Sequence, residues 1–151
     1  MNMKRRLLLC LMSVFFSGAS AFAQLRDVPL EVTTAFTKQY PAAEAVSYKD
    51  NLKNFHVHFA WKGEKMIAKY NRKGDWKESE KTSEVAKLPQ PVQDGFQKSK
   101  YATDWKTSDV TVFYEPNNVE RYRIRVEKGD VQRRYLYFNK SGRLLKDAIT
   151  L

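Results

Sequence analysis

The sequence predicts an α+β fold: two α-β-β-β-β repeats forming one curved antiparallel sheet of about eight strands, with both helices on one face. Three observations predict it. Short motifs recur in the same order in the two halves of the chain, apolar residues follow period two across long stretches, and two proline-led segments carry helical spacing instead. Val28-Pro29 with Val32 and Phe36 recurs about sixty residues later as Leu88-Pro89 with Val92 and Phe96. Phe55, Val57 and Phe59 recur as Tyr122, Ile124 and Val126; Lys62-Gly63 recurs as Lys128-Gly129; Tyr70-Asn71-x-x-Gly74 recurs as Phe138-Asn139-x-x-Gly142. The repeats are placed at residues 24–84 and 85–151.

The chain opens with the three parts of a secretory signal peptide over residues 1–23. Lys4, Arg5 and Arg6 precede an apolar run from Leu7 to Phe16, and Ala21-Phe22-Ala23 puts small side chains where signal peptidase needs them. Cleavage is expected between Ala23 and Gln24. The run is far short of the ~20 residues that span a bilayer, so no membrane span is expected after cleavage. Cys10 is an unsuitable lipidation site because bulky Leu9 precedes it. It is also the chain's one cysteine, so residues 24–151 have no disulfide, and packing alone must stabilise them. Their length suits one domain.

Each repeat opens with a helix. Pro29 and Pro89 are expected in the first helical turn, where a missing N–H costs nothing. Val32 and Phe36, and likewise Val92 and Phe96, share a helical face. Pro41 ends the first helix by disfavouring helical geometry at Tyr40. Gly95 weakens the second by about 1 kcal/mol relative to alanine and is expected to let that helix approach the sheet closely. Strands follow: one near residues 45–50, then Phe55 to Trp61, a Lys62-Gly63 hairpin turn, Met66 to Tyr70, an Asn71–Gly74 turn and a strand carrying Trp76. The second repeat has a strand near residues 105–114, then Tyr122 to Val126 and Leu136 with Phe138. A unit of about sixty residues buries only about 60% of its unfolded surface, so the two are expected to merge into one sheet.

With these residues in hand, the chain resembles the β-lactamase-inhibitor-like, PepSY-like family of exported bacterial proteins. The resemblance rests on Val28-Pro29 and Leu88-Pro89, on Tyr40-Pro41, and on the two aromatic-Asn-x-x-Gly turns; Lys100-Tyr101-Ala102 departs from Tyr40-Pro41 after the second helix. It implies two α+β repeats in a long curved sheet and a role in binding or inhibiting a protein partner. It supplies no catalytic residues, and inhibition of a β-lactamase does not follow from the name.

Motifs for catalysis are absent from the sequence. There is no Gly-x-Ser-x-Gly, no Gly-x-x-x-x-Gly-Lys and no His-Glu-x-x-His, so the reading is non-enzymatic, with no cofactor. His56 and His58 share a strand face as a metal pair would, but Lys65 and Lys69 beside them are the wrong ligands, and solvent-facing histidines are the simpler account. The net charge of +10 over the chain allows nucleic acid, anionic polymer or an acidic protein as partner; export argues against nucleic acid.

If the helices cover the face of Phe55, Val57, Tyr122 and Ile124, the opposite face carries Arg121, Arg123, Arg125, Arg133, Tyr135 and Tyr137, with His56, His58, Ile67 and Lys69 from the first repeat. Arginine and tyrosine are enriched where proteins bind proteins. The sequence reading is therefore a periplasmic or secreted binding module that engages an acidic protein or peptide through this open face. The alternative is an envelope sensor binding a small ligand or anionic polymer on the same face.

Overall fold

The computed structural model describes residues 28–150; the expected signal peptide and the Ala23–Gln24 cleavage point lie outside them. Helix α1 (Leu30–Gln39) is followed by β1 (Glu44–Asn51), β2 (Asn54–Trp61), β3 (Glu64–Asn71) and β4 (Trp76–Thr82). A 3-10 turn (Val85–Lys87) leads to α2 (Gln90–Gln97), then β5 (Lys106–Glu115), a short turn (Pro116–Asn118), β6 (Val119–Lys128), β7 (Gln132–Asn139) and β8 (Leu144–Ile149). The eight strands form one antiparallel sheet in sequence order, β1 to β8.

Both prolines sit one residue earlier than expected. Pro29 and Pro89 are N-caps with extended ψ near 142°. In that geometry the Pro29 carbonyl accepts from the Val32 and Thr33 amides, and the Pro89 carbonyl from those of Val92 and Gln93. Val32, Phe36, Val92 and Phe96 are buried, as the helical spacing required. At the other end, Tyr40 has φ −129°, outside the helical region, as a residue before proline should be.

Paired residues of an antiparallel sheet share a face, so the register sets the two surfaces. Phe55 pairs with Tyr70 and Val57 with Ala68; Ala68 pairs with Ser79, Ser79 with Tyr114, Val112 with Tyr122 and Tyr122 with Phe138. These residues form the helix face along the whole sheet, and both helices lie on it. The halves join at β4–β5, where Ser79–Thr82 pair with Thr111–Tyr114. Their buried side chains nonetheless form two clusters. Phe55, Val57, Phe59, Met66, Ala68 and Tyr70 pack under α1, and Val110, Val112, Ile124, Val126, Leu136 and Phe138 pack under α2. Tyr114 touches both clusters. Each fully buried large apolar side chain stabilises by roughly 1.5–3 kcal/mol.

The two Asn-x-x-Gly turns anchor the helices. Asn71 Oδ1 accepts from the Lys73 and Asp75 amides, and Asn139 Oδ1 from that of Arg143. Gly74 and Gly142 have φ of 83° and 79°, a region that favours glycine. Each turn also lies against the start of a helix: a Cβ would come within 2.5 Å of the Glu31 carbonyl oxygen at Gly74, and within 1.9 Å of the Pro91 carbonyl oxygen at Gly142. Gly95 does permit a close approach, but to this β7–β8 turn rather than to a strand, since its Cβ would lie 2.0 Å from the Gly142 carbonyl oxygen. The Lys128-Gly129 pair differs from Lys62-Gly63. Lys62-Gly63 is a two-residue hairpin turn, whereas Lys128 ends β6 and residues 129–131 make the turn.

Candidate interface on the open sheet face

Register places the whole predicted set on the face away from the helices. Arg121, Arg123 and Arg125 alternate along β6 with buried Tyr122, Ile124 and Val126. Arg123 pairs with Tyr137 and Arg125 with Tyr135, while Arg133 pairs with Glu127. His56 pairs with Lys69, and His58 with Ile67. The structure brings Lys69, Arg121, Arg123 and Tyr137 around one hollow of about 340 Å³, together with Glu78 and Glu80. His58 and Arg123 meet at a second hollow, of about 490 Å³, which shares Glu80. His56, Arg125, Arg133 and Tyr135 lie outside both.

The arginines are paired within the face. Arg121 binds Glu115 and lies 3.8 Å from Glu78. Arg123 reaches Asp109 at 3.2 Å and donates to Thr111 Oγ1 at 2.8 Å. Arg125 and Arg133 share Glu127, at 3.1 and 3.8 Å. Lys69 bonds Glu78 and Glu80 at 2.7 and 3.0 Å; burial alone would lower its pKa, but these two carboxylates outweigh burial and raise it.

Phe113 is the floor of this face. It is 6% exposed although no helix covers it, because the Arg121 and Arg123 guanidinium groups lie over its ring at 5.8 and 5.3 Å. Arg123 also lies 4.7 Å from the Tyr135 ring centre. Cation–π contact of this kind holds an arginine in place while leaving part of its fork free. Among the described residues, Arg123 Nε and Arg125 Nε are buried without a hydrogen-bond partner. Tyr135 and Tyr137 meet edge to face at 6.4 Å, and Lys146 lies 5.8 Å from the Tyr137 ring.

His56 and His58 both have lowered pKa values, first through burial and then through Lys69 and Lys49 respectively. Both shifts favour the neutral imidazole. Among the described residues, no group of three His, Cys, Asp or Glu side chains could hold a metal ion.

Sequence reasoning missed Glu78, Glu80, Asp109, Thr111, Phe113, Glu115, Glu127 and Lys146. In β4 the run Lys77 to Lys81 is wholly polar, so period two says nothing about which way each side chain points. In β5 four consecutive residues, Val110 to Phe113, are buried, so alternation disappears there too.

The sequence pattern of the family described as "Putative beta-lactamase-inhibitor-like, PepSY-like" matches residues 53–146. The chain belongs to this family. The fold is shared with solved structures. A BLIP-like protein from Bacteroides fragilis NCTC 9343 superposes with TM-score 0.74 at 24% identity, over 80% of this chain and 84% of that one. A DUF2874 family protein from Bacteroides ovatus ATCC 8483 gives 0.75 at 25% identity, over 82% and 89%. A protein from Bacteroides eggerthii DSM 20697, described as periplasmic, gives 0.72 at 19% identity, over 81% and 88%. No curated protein matches the chain. Among the described residues, no helix is long and apolar enough to cross a membrane.

Proposed function

We propose that the protein is a non-enzymatic binding module of the bacterial periplasm that engages a protein or peptide through the open face of β5–β7. One observation carries this reading: an arginine–tyrosine surface built over a buried phenylalanine, on a sheet face that no helix covers. Rings and carboxylates hold these side chains in position, which lowers the ordering cost that flexible arginines would otherwise meet on binding. The family's inhibitor-like description and the periplasmic neighbour support the same reading.

The partner's chemistry follows from the pairing. Basic groups outnumber carboxylates on this face, so an acidic partner is favoured. It must compete with Asp109, Glu115 and Glu127 for the guanidinium groups, so affinity should fall steeply with salt. Affinity capture from an envelope extract of the source bacterium tests this, using the parent and an Arg123→Ala/Arg125→Ala/Tyr137→Ala variant. The parent should retain an acidic partner that is lost at raised salt, and the triple variant should retain none while melting close to the parent. Capture that survives the triple change would place the interface elsewhere.

A further inference from the structure

A second site lies on the opposite side of the sheet. Beside the C-terminal end of α1, at Gln39 and Tyr40, a groove of about 610 Å³ crosses the β4–β5 seam. It runs from the β2–β3 turn at Lys62 to the β5–β6 turn at Asn118, over Met66, Lys81 and Tyr114. Tyr114, which packs against both buried clusters, is part of its lining.

Part-exposed Trp61 and Trp76 line the groove together with Tyr40, which is only 6% exposed, and all three are fixed. Tyr40 meets Trp61 edge to face at 5.2 Å. The Tyr40 hydroxyl and the Trp76 indole N–H both reach Ser79 Oγ, at 2.7 and 2.9 Å. Two ion pairs lie along the groove, Lys81 with Glu64 at 2.7 Å and Lys140 with Glu120 at 3.1 Å; Lys62 and Glu115 line it as well. Lys62 lies 4.3 Å from the Trp61 ring centre. Among the described residues, no group hydrogen-bonds the Asn118 amide or the Trp61 indole N–H.

We propose that this groove binds a neutral oligosaccharide. A sugar ring offers a face of C–H groups, polarised positive, to the negative face of an aromatic ring. Its hydroxyls both donate and accept, and so can use the spare lone pairs of Glu64 and Glu120 and the spare N–H groups of Lys81 and Lys140. An apolar ligand would strip water from these four ions and replace none of their hydrogen bonds. A strongly charged ligand would have to compete with the Lys81–Glu64 and Lys140–Glu120 pairs for its counter-ions. The length of the groove, turn to turn across the seam, suits a chain of sugars rather than one. This site lies on the other side of the sheet from the proposed interface, although Glu115, the partner of Arg121, also lines it.

Titration calorimetry of the full chain tests the proposal. The probes are neutral hexasaccharides of glucose, mannose, galactose and xylose, with hexagalacturonate as the charged comparator. At least one neutral hexasaccharide should bind with Kd below about 1 mM and change the tryptophan emission. Trp61→Ala should weaken that binding at least about tenfold, and Trp61→Tyr, which keeps a smaller stacking face, should weaken it less. Trp105→Phe, in the other cluster, should leave both affinity and emission change in place. Three outcomes would each overturn the proposal: no neutral hexasaccharide binding, hexagalacturonate or an uncharged peptide binding as tightly, or unchanged affinity in Trp61→Ala.

Discussion

The two halves of the molecule build the same order of elements from different chemistry. Under α1 the core is aromatic: Phe36 touches Tyr40, Tyr48, Phe59 and Tyr70 at ring distances of 5.0–6.3 Å. Under α2 it is mainly aliphatic, from Val92, Val110, Val112, Ile124, Val126 and Leu136. The buried tyrosines diverge in the same way. In the first half the hydroxyls of Tyr40 and Tyr70 bond neutral groups, Ser79 and Gln39, each at 2.7 Å. In the second half the hydroxyls of Tyr101 and Tyr122 donate to carboxylates, Asp147 and Glu120. A small set of backbone requirements is common to both halves, and the side chains that fill each core are free to differ. The same holds for the open face, where histidines in one half stand against arginines and tyrosines in the other.

The strongest test of this comparison is whether the halves unfold together. Phe36→Ala and Phe96→Ala should each cost about 3–5 kcal/mol, the range for a core aromatic. Urea unfolding followed by fluorescence should show one transition in both variants, at a lower midpoint, because the β4–β5 ladder and Tyr114 join the halves. Two transitions, with one left at the parent's midpoint, would break that coupling.

A smaller effect separates the helices. Ala35→Gly in α1 should cost about 1 kcal/mol, the ordinary helix-propensity loss. The reverse change in α2, Gly95→Ala, should also destabilise, by about 1–3 kcal/mol. The reason is that the new methyl meets the Gly142 carbonyl, where the backbone cannot give way. A gain in thermal midpoint for Gly95→Ala would show that the turn is free to move.

The smallest expected effect is in acid. Burial alone would raise the Asp147 pKa, but Tyr101 and Arg134 outweigh it and hold the carboxyl below its ordinary value. Glu120 is also lowered, by the Tyr122 hydroxyl and by Lys140 against the opposing effect of burial. Groups with depressed folded pKa values contribute stability that is fully present above the ordinary carboxylate pKa of about 4. That stability is lost as pH falls through the lower folded values. The urea midpoint should therefore drop between about pH 5 and pH 2, and the drop should be shallower in Asp147→Asn/Glu120→Gln. Equal slopes would remove the tyrosine–carboxylate pairs as the source of acid sensitivity.

Much of the scaffold was legible beforehand because it rests on local rules. Val32 and Phe36 were readable from helical spacing, Arg121 to Arg125 from period two, and Gly74 and Gly142 from turn chemistry. Even so, Pro29 and Pro89 were placed one residue too far into their helices, because sequence alone does not separate a cap from a first turn. Tyr101 shows the opposite limit. It lacks the proline that follows Tyr40, yet it is 2% exposed and bonds a carboxylate in β8. The predicted interface residues all fall on the open face, but the sequence showed only their cations.

The sequence by itself determined the two helices and the strands up to Phe138, their order and the sides to which regularly alternating residues point, because those depend on neighbours three, four or two positions away; β8 was not located. Only the tertiary structure decided what those side chains meet. The β4–β5 register brought Glu78, Glu80 and Asp109 to the arginines and sank Phe113 beneath them, and it laid the groove beside the end of α1 across the seam. Such contacts join residues tens of positions apart, and no local spacing rule encodes them.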